Sequence, residues 1–464
     1  SLLAGAVDPR WGAGMTGEAI ETDVVVVGAG FAGLSAARAL GRAGRRAVVL
    51  EARDRVGGRV YTTTLQGGPF VDLGGQWIGP TQDEILALIA ELGVQTFPTW
   101  TRGDNLLSLG GKARRWRGTI PRLPLASLLA VGFTQWRLER MAKQVPLDAP
   151  WKARRAREWD GMTLADLLDR YARTRAARAL LEIGLETVFA AGAREMSLLH
   201  ALFYLRSGRD LDMLLGTEGG AQATRIAGGM QQVAEKLAAS LDVRLECPVR
   251  RIEQDAGGVT VHHGGGRLRA RRAIVAVPPP LAAEIAFSPA LGRRAELVAR
   301  MPMGAVIKHT AVYDRPFWRD ERLSGMAVSD QGPVHVVFDN SPPDGMVGVL
   351  MGFSEASAAR ALGELDEAER RAEALRCFAR LFGERASRPR AYVDHVWETD
   401  PWSRGCYGAF LPPGLWTSLG PLLREPSGRV HWAGTETATV WSGYIDGAIR
   451  SGKRAAAEIV RADL

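Results

Sequence analysis

The chain has 464 residues, 46% of them hydrophobic and 24% charged, and its 59 Lys and Arg against 51 Asp and Glu leave a formal charge of +8. This is the composition of a globular protein of about three domain-sized pieces, neither disordered nor fibrous. Three cysteines, Cys247, Cys377 and Cys406, exclude a disulfide framework, and no apolar run reaches the roughly 18 residues of a membrane span. The opening residues lack a basic leader and a sufficient apolar region, so 1–20 read as a tail and not as an intact signal peptide. Basic clusters at 112–117 and 267–272 read as solvated faces, because opposite charges are interspersed elsewhere, and nucleic acid is not implied.

In chain order, Asp23–Val27 is a β-branched run that meets Gly28-Ala29-Gly30-Phe31-Ala32-Gly33 and then an Ala- and Leu-rich stretch to Leu40, which reads as strand, tight turn and helix. Residues 47–51 supply a second buried strand, and the short spacing makes a βαβ unit the economical connection. Residues 83–92 carry a helical stripe that ends at Gly93, where a left-handed cap fits. From about 163 to 206 the period is helical, with Thr163 and Ser197 preceding two leucine-rich runs. Strands over 243–249, 258–262 and 273–277 extend a sheet, the last closed by three prolines. A second, mixed sheet is predicted from 306–313, 334–338 and 347–353, followed by an amphipathic helix over 366–382. Residues 431–435 form a short strand into a turn, and 444–460 an Ala-rich helix.

The chemistry begins at Gly28-x-Gly30-x-x-Gly33. The first glycine permits the tight turn, the second lets backbone approach a pyrophosphate, and the third allows close helix–strand packing, so that the anion sits at a helix N-terminus. Glu51, 18 residues past Gly33, is placed to accept hydrogen bonds from ribose hydroxyls. The residues that follow favour flavin over a nicotinamide dinucleotide: Arg53 and Arg59 can meet phosphate charge with planar forks, and Gly57-Gly58 lets backbone crowd a ligand.

That arginine and glycine arrangement, followed by Asp72-Leu73-Gly74-Gly75-Gln76-Trp77-Ile78-Gly79-Pro80-Thr81-Gln82, resembles the flavin-containing amine oxidases and, within them, the monoamine oxidase branch. The C-terminal motifs are more specific: Ser403-Arg404-Gly405-Cys406-Tyr407, Pro412-Pro413-Gly414, and the stretch from Trp432-Ala433-Gly434-Thr435-Glu436-Thr437 to Trp441-Ser442-Gly443-Tyr444. The resemblance runs from about Asp23 to Val460. It implies an α/β fold in which a Rossmann-like FAD-binding domain (21–96, 226–297 and 400–464) is interwoven with a mixed-sheet plus helical substrate domain (97–225 and 298–399). The sequence stops just after its last helix, where animal mitochondrial enzymes continue into a membrane tail. The resemblance therefore points to a soluble, bacterial member without a membrane anchor, expected in the cytoplasm, or in the periplasm if the N-terminus is processed, and a homodimer would be in keeping with similar enzymes.

Residue by residue, Tyr407 and Tyr444 match the two tyrosines that stand upright on the flavin face in monoamine oxidases and guide the amine between them, where two ring faces would orient its α-carbon. Lys308 matches the lysine that reaches flavin N5 through a water; read from the sequence alone it is the polar side of an alternating strand meeting solvent. Cys406 matches the cysteine bonded to the flavin in the animal enzymes and leaves a covalent FAD open; on its own it is a small buried hydrophobe. Trp397 matches an aromatic residue beside the flavin, Val249 a backbone contact on the adenine side, and Gly434, Thr435 and Glu436 the turn into the last helix. Gly443, Tyr444 and Ile445 begin that helix, whose positive end would face the pyrimidine carbonyl of the flavin. Gly58, Gly75, Gln76 and Trp77 complete the cofactor set.

Two departures bear on the substrate. Amino-acid oxidases of the superfamily need an arginine shortly after the double glycine, yet Gly74-Gly75 is followed by Gln76-Trp77-Ile78. Diamine oxidases use a distal carboxylate, and the local match Val334-His335-Val336-Val337-Phe338 supplies none. The resemblance thus implies oxidation of a primary or secondary monoamine at its α-carbon to an imine and aldehyde, with O2 reduced to H2O2 and no metal required. Val188, Leu214, Gln222 and Val336 are expected to line the substrate cavity. The alternatives are a dehydrogenase with a protein electron acceptor, a polyamine or diamine oxidase, and a noncatalytic flavoprotein.

Overall fold

A computed structural model describes residues 20–65, 68–118 and 121–462, so the tail read over 1–20 lies, save for Ile20, outside the described residues. The first β-branched run forms strand β1 (Thr22–Val27), the glycine-rich turn leads into helix α1 (Phe31–Arg42), and β2 (Ala47–Leu50) pairs parallel to β1 from Val24↔Ala47 to Val27↔Leu50. Both faces of these strands are covered: Val24, Val26 and Val49 pack with Leu34 and Leu40, while Val25, Val27 and Val48 pack with Val259, Val261 and Trp432. A parallel strand buried on both sides reads as an unbroken apolar run, which is what the sequence presents.

Eight strands form this sheet, in the order Asp242–Arg244, β2, β1, Gly266–Val275, Gly258–His263, Val249–Asp255 and Ala286–Ser288, with Val430–Trp432 also paired to Gly266–Val275. The ten-residue strand Gly266–Val275 joins two kinds of pairing. Its second half runs parallel to β1 and to Val430–Trp432, and its first half antiparallel to Gly258–His263. The last helix, Ile445–Ala462, lies on α1 so closely that a Cβ at Gly452 would stand 2.1 Å from the Ala32 carbonyl oxygen.

The strand expected over 243–249 is two strands, Asp242–Arg244 and Val249–Asp255. Between them Pro248 has no N–H for a ladder and Glu246 takes φ +56. The intervening loop is tied to the end of β2 by Cys247 N–H to Glu51 O at 2.7 Å and Glu246 N–H to Arg53 O at 2.9 Å. The strand expected to reach Val277 ends at Val275.

The second sheet is mixed, as expected, with seven strands in the order Ala391–Val396, Val306–Tyr313, Gly348–Glu355, Val336–Asp339, Leu323–Ser329, Asp104–Leu109 and Lys112–Trp116. Its pairs are antiparallel except that between Leu323–Ser329 and Asp104–Leu109. The basic cluster 112–117 occupies the edge strand Lys112–Trp116, where charge discourages further pairing. Helices Leu125–Ala142, Leu164–Tyr171, Arg175–Phe189 and Leu198–Ser207 form a layer over a core that includes Trp159, Phe203 and Trp416. Thr163 caps Leu164–Tyr171 in a reciprocal box with Asp166, and Ser197 caps Leu198–Ser207. No helix among the described residues is long and apolar enough to cross a membrane.

Candidate active site

A cavity of about 900 Å³ starts at the glycine-rich turn and continues past the second sheet to the helical layer. Gly28 takes φ +101 and Gly30 opens into free space, with nothing within 4 Å of the position a Cβ would occupy. Gly33 is set back from the cavity: a Cβ there would stand 1.9 Å from the Gly28 carbonyl oxygen, the close helix–strand approach read from the motif. Gly58 faces Gly30 across the same space, and Glu51 and Val249 border it. The buried Glu51 carboxylate accepts from Ala29 N–H at 2.7 Å and Arg53 N–H at 3.0 Å. An open cradle at a helix N-terminus beside an oriented carboxylate fits the pyrophosphate and ribose of a dinucleotide.

Two expectations change here. The fork of Arg53 is turned onto Asp400 Oδ1 at 2.6 Å and Ser403 Oγ at 2.7 Å, and that of Arg59 onto Glu436 Oε1 at 2.6 Å and the Tyr407 carbonyl at 2.7 Å. Guanidinium groups at this depth take their counter-charge from the chain, so they hold protein segments together while still bordering the cavity. Glu436 does not line the large cavity: it lies behind it, holding Arg59 and accepting from Ala409 N–H at 3.2 Å.

Lys308 is not on a solvent-facing edge. Its strand is buried at every residue, and the ammonium donates to the Gly74 carbonyl at 2.9 Å and to Gln76 Oε1 at 2.6 Å. Gln76 in turn donates to Asn340 Oδ1 at 2.8 Å, and the Asn340 and Ser341 carbonyls accept from Arg225. Burial pushes the Lys308 pKa down to about 7. An unfolded lysine titrates near ~10.4, so between about pH 7 and pH 10 the folded chain binds fewer protons than the unfolded one, and stability from this group rises with pH. Lys308→Met removes the buried charge. Its thermal midpoint is expected to exceed that of the parent by most near pH 6, with the gap closing as pH rises through that window. A gap that does not change with pH contradicts this assignment.

Tyr407 and Tyr444 both line the cavity, their backbones clamped by Arg59 on the Tyr407 carbonyl and by Thr435 Oγ1 on the Tyr444 carbonyl at 2.8 Å. Phe353 meets the Tyr407 ring edge-on at 6.4 Å, and Trp441 the Tyr444 ring at 4.9 Å. Burial raises both phenols well above their ordinary range, so both stay neutral. Gly75, Gln76, Trp77, Trp397, Cys406, Gly434, Thr435, Gly443 and Ile445 line the same cavity. Trp397 is fixed by its indole N–H on the Leu73 carbonyl at 2.9 Å, and burial pushes the Cys406 thiol up to about 12. The last helix opens onto the cavity through Tyr444, Ile445 and Ala448, which brings its positive end there.

The four residues expected to line a substrate cavity, Val188, Leu214, Gln222 and Val336, all border this same cavity, Val336 in the cluster that holds Trp397 and Cys406 and Val188 and Leu214 in that of the helical layer. Gln222 donates to the Leu214 carbonyl at 2.9 Å, which leaves its buried Oε1 as an acceptor without a protein partner. Sequence reasoning missed Tyr204, whose ring lies 6.2 Å from that of Tyr444; a Cβ at Gly443 would collide with its hydroxyl at 2.2 Å. It stands inside the apolar helix Leu198–Ser207, where nothing in the pattern separates it from core. Asp339 also borders the cavity, one residue beyond the segment read as free of carboxylates, but it accepts from Arg319 Nε and Trp318 Nε1, each at 2.8 Å.

The profile of the family described as flavin containing amine oxidoreductase matches residues 31–460. AofH of Mycobacterium tuberculosis, a protein assigned provisionally as a flavin-containing monoamine oxidase, is 48% identical over 94% of this chain and 96% of its own. Human flavin-containing amine oxidase B is 39% identical over 95% of this chain and 86% of its own. Among solved structures, putrescine oxidase with putrescine bound superposes with a TM-score of 0.92 at 34% identity, covering 95% of this chain and 99% of the other. Cyclohexylamine oxidase from Brevibacterium oxydans gives 0.90, also at 34% identity and with the same coverage. A dinucleotide cradle that opens into a tyrosine-lined cavity and matches across nearly the whole length make this chain a member of the flavin-containing amine oxidoreductase family, an FAD-dependent amine oxidase.

Proposed function

We propose that the substrate is a primary or secondary monoamine, oxidised at the α-carbon with O2 as the electron acceptor. The observation that carries this reading is that one cavity takes in the Gly30 cradle, Lys308, two neutral tyrosines and the apolar side chains of Leu181, Val188, Leu214 and Val336. Gly28, Gly30, Glu51 and Gly58 would hold the adenosine and pyrophosphate, and Gly75, Gln76, Trp397, Cys406, Gly434 and Thr435 the ring system. Bound FAD supplies the acceptor for the α-hydrogen and its electron pair.

The chain's own part is to bind and orient. Tyr407 and Tyr444 hold the amine between two ring faces, and removal from water favours its neutral form, whose lone pair assists loss of the α-hydrogen. Lys308, held by Gln76 and near its own pKa at neutral pH, can keep or release a proton beside the reacting centre. Water hydrolyses the imine to a carbonyl compound, an aldehyde where the α-carbon is terminal, with release of ammonia from a primary amine or of the smaller amine from a secondary one. O2 takes up the two electrons and two protons removed from the substrate and becomes H2O2. The division into an FAD-binding part (21–96, 226–297 and 400–464) and a substrate part (97–225 and 298–399) belongs to the same proposal. It is supported by the distribution of strands, since those of the eight-stranded sheet fall in the first set and those of the seven-stranded sheet in the second.

The resemblance to putrescine oxidase raises a diamine as the second reading. A second ammonium would need a carboxylate inside the apolar part of the cavity: Asp339 is already neutralised by Arg319, and Asp212 and Glu218, which also border the cavity, are exposed to water and accept from Gln135 and Thr101. Leaving a cation unpaired in an apolar site costs several kcal/mol. Peroxide release from benzylamine, phenethylamine, cyclohexylamine and putrescine, compared as kcat/KM, tests the reading. A monoamine is expected to exceed putrescine by about tenfold or more, equivalent to ~1.4 kcal/mol. Preference for putrescine contradicts it.

A further inference from the structure

Arg225 sits in the middle strand, Thr224–Ile226, of a three-stranded sheet, directly opposite Trp77 on one side and Phe97 on the other. Trp77 borders the cavity, and its ring centroid lies 5.9 Å from the Lys308 ammonium; Arg225 itself does not border the cavity. Arg225 is 2% exposed, and its guanidinium packs on the Phe97 ring at 5.0 Å and donates to the Asn340 and Ser341 carbonyls at 2.9 and 3.0 Å. No carboxylate among the described residues pairs with it, and its Nε is buried without a partner. A buried cation without a counter-charge is expensive, so this one needs a reason beyond packing.

A chain of amides joins it to Lys308. Lys308 donates to Gln76 Oε1, Gln76 donates to Asn340 Oδ1, and the Asn340 carbonyl accepts from Arg225. The other ionisable groups around Lys308 are few. Asp72 is fully buried, with one carboxylate oxygen held by Thr62 and the Met230 N–H and the other without a partner. Asp339 is paired with Arg319. Cys406, whose thiol burial pushes up to about 12, and His395, opposite Lys308 on the neighbouring strand and lowered by burial, are both uncharged near pH 7.

Two cations thus compete for one uncompensated carboxylate. Arg225 does not yield, since burial brings it down only to about 10 and it stays protonated through the neutral range. Lys308 can yield: burial is the largest influence on its ammonium, Asp72 works against that influence, and Arg225 adds to it. We propose that Arg225 is a positioning residue for Lys308, a permanent charge held behind the Gln76–Asn340 amides that keeps the lysine uncharged and its lone pair available at the cavity wall. An uncharged Lys308 also spares an incoming ammonium ion a like charge in the same cavity. That consequence rests on the amine as substrate, whereas the charge of Lys308 does not.

The test compares four flavin-loaded proteins, the parent, Arg225→Gln, Lys308→Met and the double variant. Their thermal midpoints are followed from about pH 6 to about pH 10, together with the pH profile of kcat/KM for benzylamine. The transition that belongs to Lys308 is the one that vanishes in Lys308→Met. Arg225→Gln keeps an N–H donor for the two carbonyls and loses the charge. It is expected to raise that transition by at least about one pH unit in both readouts, and to cause no such shift where Lys308 is already Met. In the thermal series the destabilisation that Lys308 imposes at low pH should be smaller than in the parent and begin to close at higher pH. Asp72→Asn removes the opposing charge and should move the same transition down, a direction that a merely loosened, wetter site would not give. The proposal is overturned if Arg225→Gln leaves the transition in place, if it shifts the profile equally without Lys308, or if Asp72→Asn does not lower the transition. Should Arg225→Gln fail to fold, Asp72→Asn decides alone, a fall supporting the proposal and a rise or no change overturning it. A thermal transition that moves as expected in a protein that does not turn over benzylamine or any other amine would support the charge of Lys308 and contradict the amine as substrate.

Discussion

Gly30→Val is expected to give a folded protein that has lost its flavin. The backbone at Gly30 has φ −74 and ψ 176, which a β-branched residue accepts, and nothing lies within 4 Å of the new Cβ, so the chain meets no obstacle in folding. The branched side chain instead fills the space where backbone must approach a pyrophosphate, and overfilling a close-packed site costs about 3 kcal/mol or roughly a hundredfold in affinity. Gly33→Ala should behave differently. Its Cβ would stand 1.9 Å from the Gly28 carbonyl oxygen, so the turn itself must open, and both thermal midpoint and flavin content should fall. Flavin absorbance per protein and the thermal midpoint, measured for both variants, check the pair. A yellow Gly30→Val protein would contradict the cradle.

Tyr407→Ala and Tyr444→Ala are expected to lower kcat/KM for the best amine by about a hundredfold each, the scale of losing a near-attack orientation, with flavin content unchanged. The ring faces carry the assignment, since burial keeps both hydroxyls neutral and raises them far from any proton-transfer role at neutral pH. Phenylalanine at either position should therefore retain activity within about threefold. Phenylalanine variants as impaired as the alanine ones would shift the role to the hydroxyls, and harmless alanine variants would remove the two rings from the site.

Much of this arrangement is legible in the sequence because its residues lie in contiguous motifs with a local geometric cause. The turn at Gly28, the packing at Gly33 and the caps at Thr163 and Ser197 each depend on neighbours a few residues away. What was not legible depends on distant partners. The forks of Arg53 and Arg59 are claimed by Asp400 and Glu436, about 350 and 380 positions further on, and nothing near either arginine announces that. Lys308 looks like the exposed side of a strand until both neighbouring strands and the loop bearing Gly74 and Gln76 close over it. The strand Leu323–Ser329 is interrupted by Gly325 at φ +83, and Ala391–Val396 is only half-buried along its length, so neither shows a clean period of two. Tyr204 joined the cavity only through the folding of the helical layer against the turn at Gly443.

The most direct test of the account is an anaerobic titration of the flavin-loaded protein with benzylamine, followed by the visible absorbance of the oxidised cofactor. The account expects that absorbance to disappear as one amine is consumed per flavin, with aldehyde recovered in equal amount and colour restored on admitting air. Flavin that stays fully oxidised while the amine demonstrably binds would contradict it.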